Sequence, residues 1–397
     1  AMRGVVDNNH SYNTAVGKDA MFAVTTGSDN TGVGKDALLD LTDGTGNTAI
    51  GIASGDNITT GDYNTFIGRL AGRTTLDVDL SVAIGNGAMG SAVVTSNADK
   101  TVAIGSDALA LLTSGQGNVA IGANALDAVT TGAHNVAIGY LAADSVLAGH
   151  DSSIAIGTNA LGGTHTGTAS VQNVAIGGDA LAGAMNDADN NTAVGFTAGQ
   201  AVTTADDSVF IGAEAGKGIT LALGNVAVGK NAMGGVTVEA ANYNVAVGHS
   251  ALQGTSATNQ AGTVAVGFNA LSSLTTATGN TSVGYRAGQT INTGPNNTAV
   301  GYQALDALID GQGNTALGFN ALTAADAGEE YNTCLGYGAG DTINGGDNNT
   351  CLGTLARTSA ATGMDQIVIG FNLSGTADDA VHIGNGTRHI RCDYGSD

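Results

Sequence analysis

A five-residue word recurs along the chain: polar, β-branched, small, aliphatic, glycine. It reads "NTAVG" at 13–17 and "NVAIG" at 118–122 and 135–139. Aligned on its closing glycine (position 0), it occurs 22 times, from Gly17 to Gly384, and 13 of the 21 spacings are 17 residues, the rest 14 to 20. Position −1 is aliphatic in every copy, Val16 through Ile383, and position −3 is Thr or Val in 20. Position −2 is Ala in 14 copies, −4 is Asn in 15, and +3 is Ala in 19. Position +4 is Leu or Met in 12 copies and Gly in six. Positions −3 and −1 share one side and −4, −2 and 0 the other, a period of two that predicts a short strand. Helix fits poorly, because β-branched residues and glycine recur where a helix wants straight chains.

Repetition at a fixed period governs the fold. Seventeen extended residues span at most roughly 56 Å. That perimeter closes as one flattened turn with strands about 10 Å apart, and the next copy stacks about 4.8 Å further on. The prediction is an all-β chain, a parallel β-roll or β-solenoid of about 22 turns, roughly 105 Å long. Its repeat domain covers 13–388, with a lead-in at 1–12 and a tail at 389–397. Length variation falls between the +4 position and the next Asn, in runs such as "LDLTDGTG", which read as outer loops. Asparagine at −4 is expected to form ladders along the stack.

Both sides of the strand read as buried. No charged residue occupies −3, −2, −1 or 0 in any copy. A lone solenoid would leave one side wet, so one face should pack inside its own turn and the other against another chain, as in a homotrimer. The sequence does not say which face does which. Ten copies carry Thr at −3 and ten carry Val, shapes that match while one hydroxyl needs a partner if buried.

Composition then narrows the function. The chain has 397 residues, 63 of them Gly, one Pro, no Trp, and only 12% charged. Its 34 acidic and 12 basic residues give a net charge of −22. That argues against nucleic acid, whose phosphates demand Lys and Arg, and against anionic lipid. No 18-residue apolar run indicates membrane insertion, and "AMRGVVDNNH" has no signal-peptide core. Three cysteines are too few for a disulfide scaffold.

Candidate chemistry is sparse. "GNVAVGKN" at 224–231 imitates a phosphate loop, but Asn231 stands where Ser or Thr would bind magnesium, and the same word recurs elsewhere without lysine. Eight of 16 aromatics sit at +1, among them Tyr140, Tyr285, Tyr302, Phe319 and Tyr337, and Tyr12, Tyr63, Tyr243 and Tyr331 sit just before the Asn. They form either a stacking platform for a glycan receptor or packing at roll corners and between chains; the second is favoured, since Tyr and Phe are common packing anchors. Cys334 and Cys351 share the −2 column in adjacent copies and should stack as inert buried thiols, while Cys392 lies in the tail. His382 takes −2 and His389 follows; three copies around an axis could hold a metal or anion, but structural rings are the favoured reading. The dispersed aspartates match no calcium motif, and no catalytic triad or paired carboxylates stand out. The expectation is a non-enzymatic protein with no catalytic, cofactor or metal site. An ice-binding solenoid would need a flat exposed Thr array, and the Thr column, alternating with Val, reads as interior.

The word Asn-Thr/Val-Ala-Val/Ile-Gly resembles the repeat of the YadA-like head of trimeric autotransporter adhesins. The resemblance covers nearly the whole chain and implies a trimer of left-handed parallel β-rolls that adheres to a host. The period departs from that family's, which is nearer 14, a spacing found here only between Gly370 and Gly384. The longer unit is similar to repeats in bacteriophage tail fibres, and the ending "GTADDAVHIGNGTRHIRCDYGSD" resembles the run leading into the self-cleaving chaperone of endosialidase-type tail proteins. That resemblance implies a tail-fibre shaft or distal segment in a virion, partnered by itself and by a host receptor or glycan. The alternative is the passenger head of an adhesin on a bacterial surface.

Overall fold

A computed structural model describes residues 11–145, 149–165, 167–236, 241–254, 260–326 and 328–393. Most of the lead-in read at 1–12 and the last four residues of the tail therefore lie outside the described residues. The chain is an all-β parallel solenoid of about 21 turns of about 17 residues. The only helical segment among the described residues is a 3-10 turn at Ser96–Ala98. Two compact units are present, residues 1–197 with 201–204, and residues 198–200 with 205–397.

In the first unit the words become three-residue strands from β1 (Thr14–Val16) to β11 (Thr192–Val194). Neighbours pair parallel and in register, −3 on −3, −2 on −2 and −1 on −1, as in Val119↔Val136, Ala120↔Ala137 and Ile121↔Ile138. The second unit runs from β12 (Val209–Ile211) in the same way. It ends with longer strands, β21 (Ile367–Phe371) and β22 (Ala380–Asn385), still parallel. The chain then turns back, and β23 (Arg388–Asp393) pairs antiparallel to β22. Residues 388–393, read as the end of the last repeat and the start of a tail, are thus a hairpin strand.

The structure decides which strand face is inside. The −2 side chain is buried in every copy but the first, where Ala15 is half-buried. It meets the +3 Ala and the +4 Leu or Met, which arrive from the turn after the strand and are also buried. A further column closes the interior at +7, with Val24, Leu41, Ile58, Leu112, Val129, Ile219 and Leu308 fully buried. That column lies inside the stretch read as variable loop, so the loop run does more than span an edge. Interior volume is conserved turn by turn. Phe66 replaces Ala at −2, and Gly55 and Gly72 hold +4 on either side; a Cβ on Gly55 would come within 2.7 Å of the Phe66 ring. Ser282 and Gly288 repeat the exchange, a Cβ there falling 2.7 Å from the Ser282 hydroxyl oxygen. Close-packed interiors enforce such swaps, because overlap and void both destabilise.

The asparagine ladder forms as expected. Asn47 Oδ1 accepts the backbone N–H of Asn64 at 2.9 Å, and Asn47 Nδ2 donates to the carbonyl of Gly61 at 2.7 Å. The same bonds recur from Asn13 to Asn64 and from Asn280 to Asn349. Where Ser replaces Asn, its hydroxyl accepts instead, as Ser81 does from Thr101 and Ser153 from Asn173. Each ladder bond satisfies a buried backbone group that would otherwise cost about 1–3 kcal/mol.

Candidate functional site

Two outward features remain once the interior is closed: the β-branched face and the exposed rings. The −3 and −1 side chains point away from the core. Eleven of the −1 residues are 36–57% exposed, including Val16, Ile50, Ile121, Ile138, Leu317, Leu335 and Ile383, and none of the other eleven is buried. An aliphatic column without charge therefore runs along the outside of each unit. The threonines at −3, expected to be interior, lie on this outer face, in runs at Thr14, Thr31, Thr48 and Thr65 and at Thr281, Thr298, Thr315, Thr333 and Thr350. Alternation of Thr with Val is easily accommodated there, because the hydroxyl can meet water in a single chain.

Among the predicted aromatics, Tyr285, Tyr302, Phe319 and Tyr337 come together and Tyr140 does not. The four belong to one stack of six rings, His249, Phe268, Tyr285, Tyr302, Phe319 and Tyr337, in the second unit. Centroids are 5.0–5.4 Å apart and planes lie within 4–21° of parallel. Each pair contributes about 0.5–1.5 kcal/mol. The stack follows from register: residues at +1 in successive in-register turns sit one strand spacing apart. His249 shares that column and was legible there, but an imidazole was not read as part of an aromatic set. The inner rings have a neighbour on both faces, so only their edges meet solvent. Tyr140 stands alone, 56% exposed, between turns carrying Ala123 and Thr158 at +1.

The remaining candidates are structural. Cys334 and Cys351 pair across adjacent strands as buried free thiols. A hydrogen bond to Cys351, then burial, pushes the Cys334 thiol well above its ordinary range. Such thiols are poor nucleophiles. Room for Cys334 comes from Gly340 at +4, whose Cβ would overlap its sulfur. His382 is buried, accepts the N–H of Thr376 at 3.2 Å, and lies 5.9 Å from the His389 ring. Among the described residues no three His, Cys, Asp or Glu side chains gather as a metal set. The phosphate-loop imitation is an ordinary strand, β13 (Val226–Val228), followed by a turn rather than the helix such a site needs.

One buried polar cluster escaped the sequence reading. His150 and His165 face each other edge to face in the enlarged turns around Gly157, with 3.2 Å between His150 Nε2 and His165 Nδ1. Ser170 donates its backbone N–H to His150 Nε2 at 3.1 Å, and His165 Nε2 lies 3.4 Å from the Leu161 carbonyl oxygen. Burial, then the neighbouring His150, lowers the His165 pKa from 6.5 to about 4. The unfolded chain therefore binds a proton that the folded turn refuses. Stability is full above pH 6.5 and falls as the pH drops towards 4, by about 3 kcal/mol at most. Protection factors of the amides in 157–177, corrected for the intrinsic pH dependence of exchange, should fall as the pH drops across that window, and His165→Leu should flatten the profile; an unchanged profile would refute the assignment.

No protein-family model matches the chain, and no curated protein matches it.

Proposed function

We propose that the chain is a non-enzymatic structural fibre and adhesion protein. It assembles as a homotrimer, as the shaft or distal segment of a phage tail fibre that presents surfaces to a host. The observation that carries this reading is the outward −3/−1 face. Its aliphatic column is continuous within each unit and free of charge, on a chain whose net charge is −22. Exposed apolar surface of that extent marks an interaction face. Two neighbouring chains of the same sequence offer the matching surface, and the register keeps −1 aligned with −1 from turn to turn. The mechanism is mechanical: stacked backbone and Asn ladders give stiffness, and many weak surface contacts add up by avidity.

The passenger head of a bacterial trimeric adhesin is the alternative, supported by the same word and the same face. Sequence of the gene beyond this chain separates them, a chaperone domain favouring the fibre, and a coiled coil with a barrel anchor favouring the adhesin. An ice-facing role would use the same Thr-bearing face uncovered, so it requires a single chain. Sedimentation tests assembly directly. The expected species is about 116 kDa, three chains of 38.7 kDa. A monodisperse species of 38.7 kDa would defeat the reading.

A further inference from the structure

Position −5, just before the ladder Asn, adopts positive φ in every copy. Gly, Asn or Asp fill it in 13 of 22, as the left-handed region favours. Four copies instead place tyrosine there, Tyr12, Tyr63, Tyr243 and Tyr331, at φ 57–59°. A bulky ring in that conformation costs about 1–2 kcal/mol, and no burial offsets it: the rings are 55–86% exposed. The turn imposes that conformation on every copy, Leu80 and Lys100 included, so what distinguishes the tyrosines is the exposed ring and not the strain.

The surroundings of three of these rings repeat. The turn before Tyr63, Tyr243 and Tyr331 carries glycine at −5, at Gly46, Gly224 and Gly313. A Cβ on those glycines would fall 2.6–2.8 Å from Cδ1 of the ring. Each ring therefore leans back over the preceding turn through a gap that only glycine leaves. Above Tyr243, the −5 position is Gly262, whose Cβ direction opens on empty space. Residue −6 beside each ring is a carboxylate or amide, Asp62, Asn242 or Glu330. Asp62 and Asn242 also reach to the preceding turn, accepting the N–H of Thr45 and Leu223 at 2.7 Å. Among the described residues none of the three rings makes a ring contact. None of them is sandwiched between two other rings, whereas the inner rings of the six-ring stack are.

We infer that Tyr63, Tyr243 and Tyr331, with the adjoining Asp62, Asn242 and Glu330, are pyranose-binding sites for a neutral or amino-bearing polysaccharide. The inference deepens, and rests on, the host-attachment reading above. Sugar C–H groups carry partial positive charge and dock on the negative face of an aromatic ring. Only an uncovered face offers that contact. The neighbouring carboxylate or amide accepts from sugar hydroxyl or ammonium groups. Carboxylates at two of the sites, on a chain of net charge −22, repel uronic and sialic polymers. Within the second unit, Tyr243 and Tyr331 repeat at the same corner of the turn, so one polymer can engage both.

The test uses the full chain and three polymers: dextran (neutral), chitosan oligomers (amino-bearing) and polygalacturonate (anionic). Titration calorimetry and sedimentation are run on wild type, on the triple variant Tyr63→Ala/Tyr243→Ala/Tyr331→Ala, on its Tyr→Phe counterpart, and on Tyr302→Ala/Phe319→Ala. Wild type should bind dextran or chitosan and not polygalacturonate. The triple Ala variant should lose about tenfold or more in affinity, roughly 1.4 kcal/mol. The Phe and stack variants should stay within about twofold. Retained binding in the triple Ala variant, binding of polygalacturonate alone, or no binding to any of the three would overturn the assignment. So would loss of the assembled species in the triple Ala variant, which would make the rings interchain packing groups. Trimeric wild type that binds none of the polymers would leave the fibre reading standing while removing these sites.

Discussion

Gly301→Ala is expected to destabilise its turn by about 4 kcal/mol or more, among the largest effects of a single methyl group. The repeat glycines all have φ between 126° and 154°, a region L side chains rarely enter. At Gly301 the added Cβ would lie 2.6 Å from the carbonyl carbon of Gly318 and closer still to its oxygen. The obstacle is backbone, so no rotamer change relieves it. The turns must separate, and that weakens the bond from Gly318 N–H to the Val300 carbonyl, 2.8 Å in the native stack. Gly262→Ala is the control: its φ is +68° and nothing lies within 4 Å of the new carbon. It should cost only the conformational term, about 1–2 kcal/mol. A stacked array need not unfold all at once, so amide exchange in the affected turn is the measurement. Equal effects at the two sites would refute the stacking argument.

The second large effect is on assembly. Ile121→Glu combined with Ile138→Glu places carboxylates on −1 in adjacent, register-paired turns. Both side chains point outward and are 37% exposed in the single chain, so its fold should survive and far-ultraviolet circular dichroism should be unchanged. In a trimer packed on that face, each carboxylate would be buried without a partner, at several kcal/mol apiece. The expected result is a shift from the assembled species to folded chains of 38.7 kDa. Persistence of the assembly would mean that chains meet elsewhere.

Much of the stack was legible because its constraints are local. A strand word, its period and the glycine that closes it are repeated often enough to define columns. Asparagine at −4 betrays its ladder for the same reason, since identical residues one turn apart must meet. The cysteine pair at 334 and 351 followed from register alone. By contrast, the +7 aliphatics were hidden by loops of unequal length, which blur any column beyond +4. The His150–His165 pair was hidden as well, because enlarged turns have no counterpart elsewhere with which to align.

The sequence by itself determined that the chain stacks in register, and which residue types share each column, since period and alternation are properties of one dimension. Only the tertiary structure decided which side of the strand is core. Alternation labels two faces without naming either, and the answer depends on where +3, +4 and +7 arrive after the chain has gone round the turn. It also decided which rings are sandwiched between two others. A column of aromatics fixes their spacing, but ring orientation is set by the neighbours above and below.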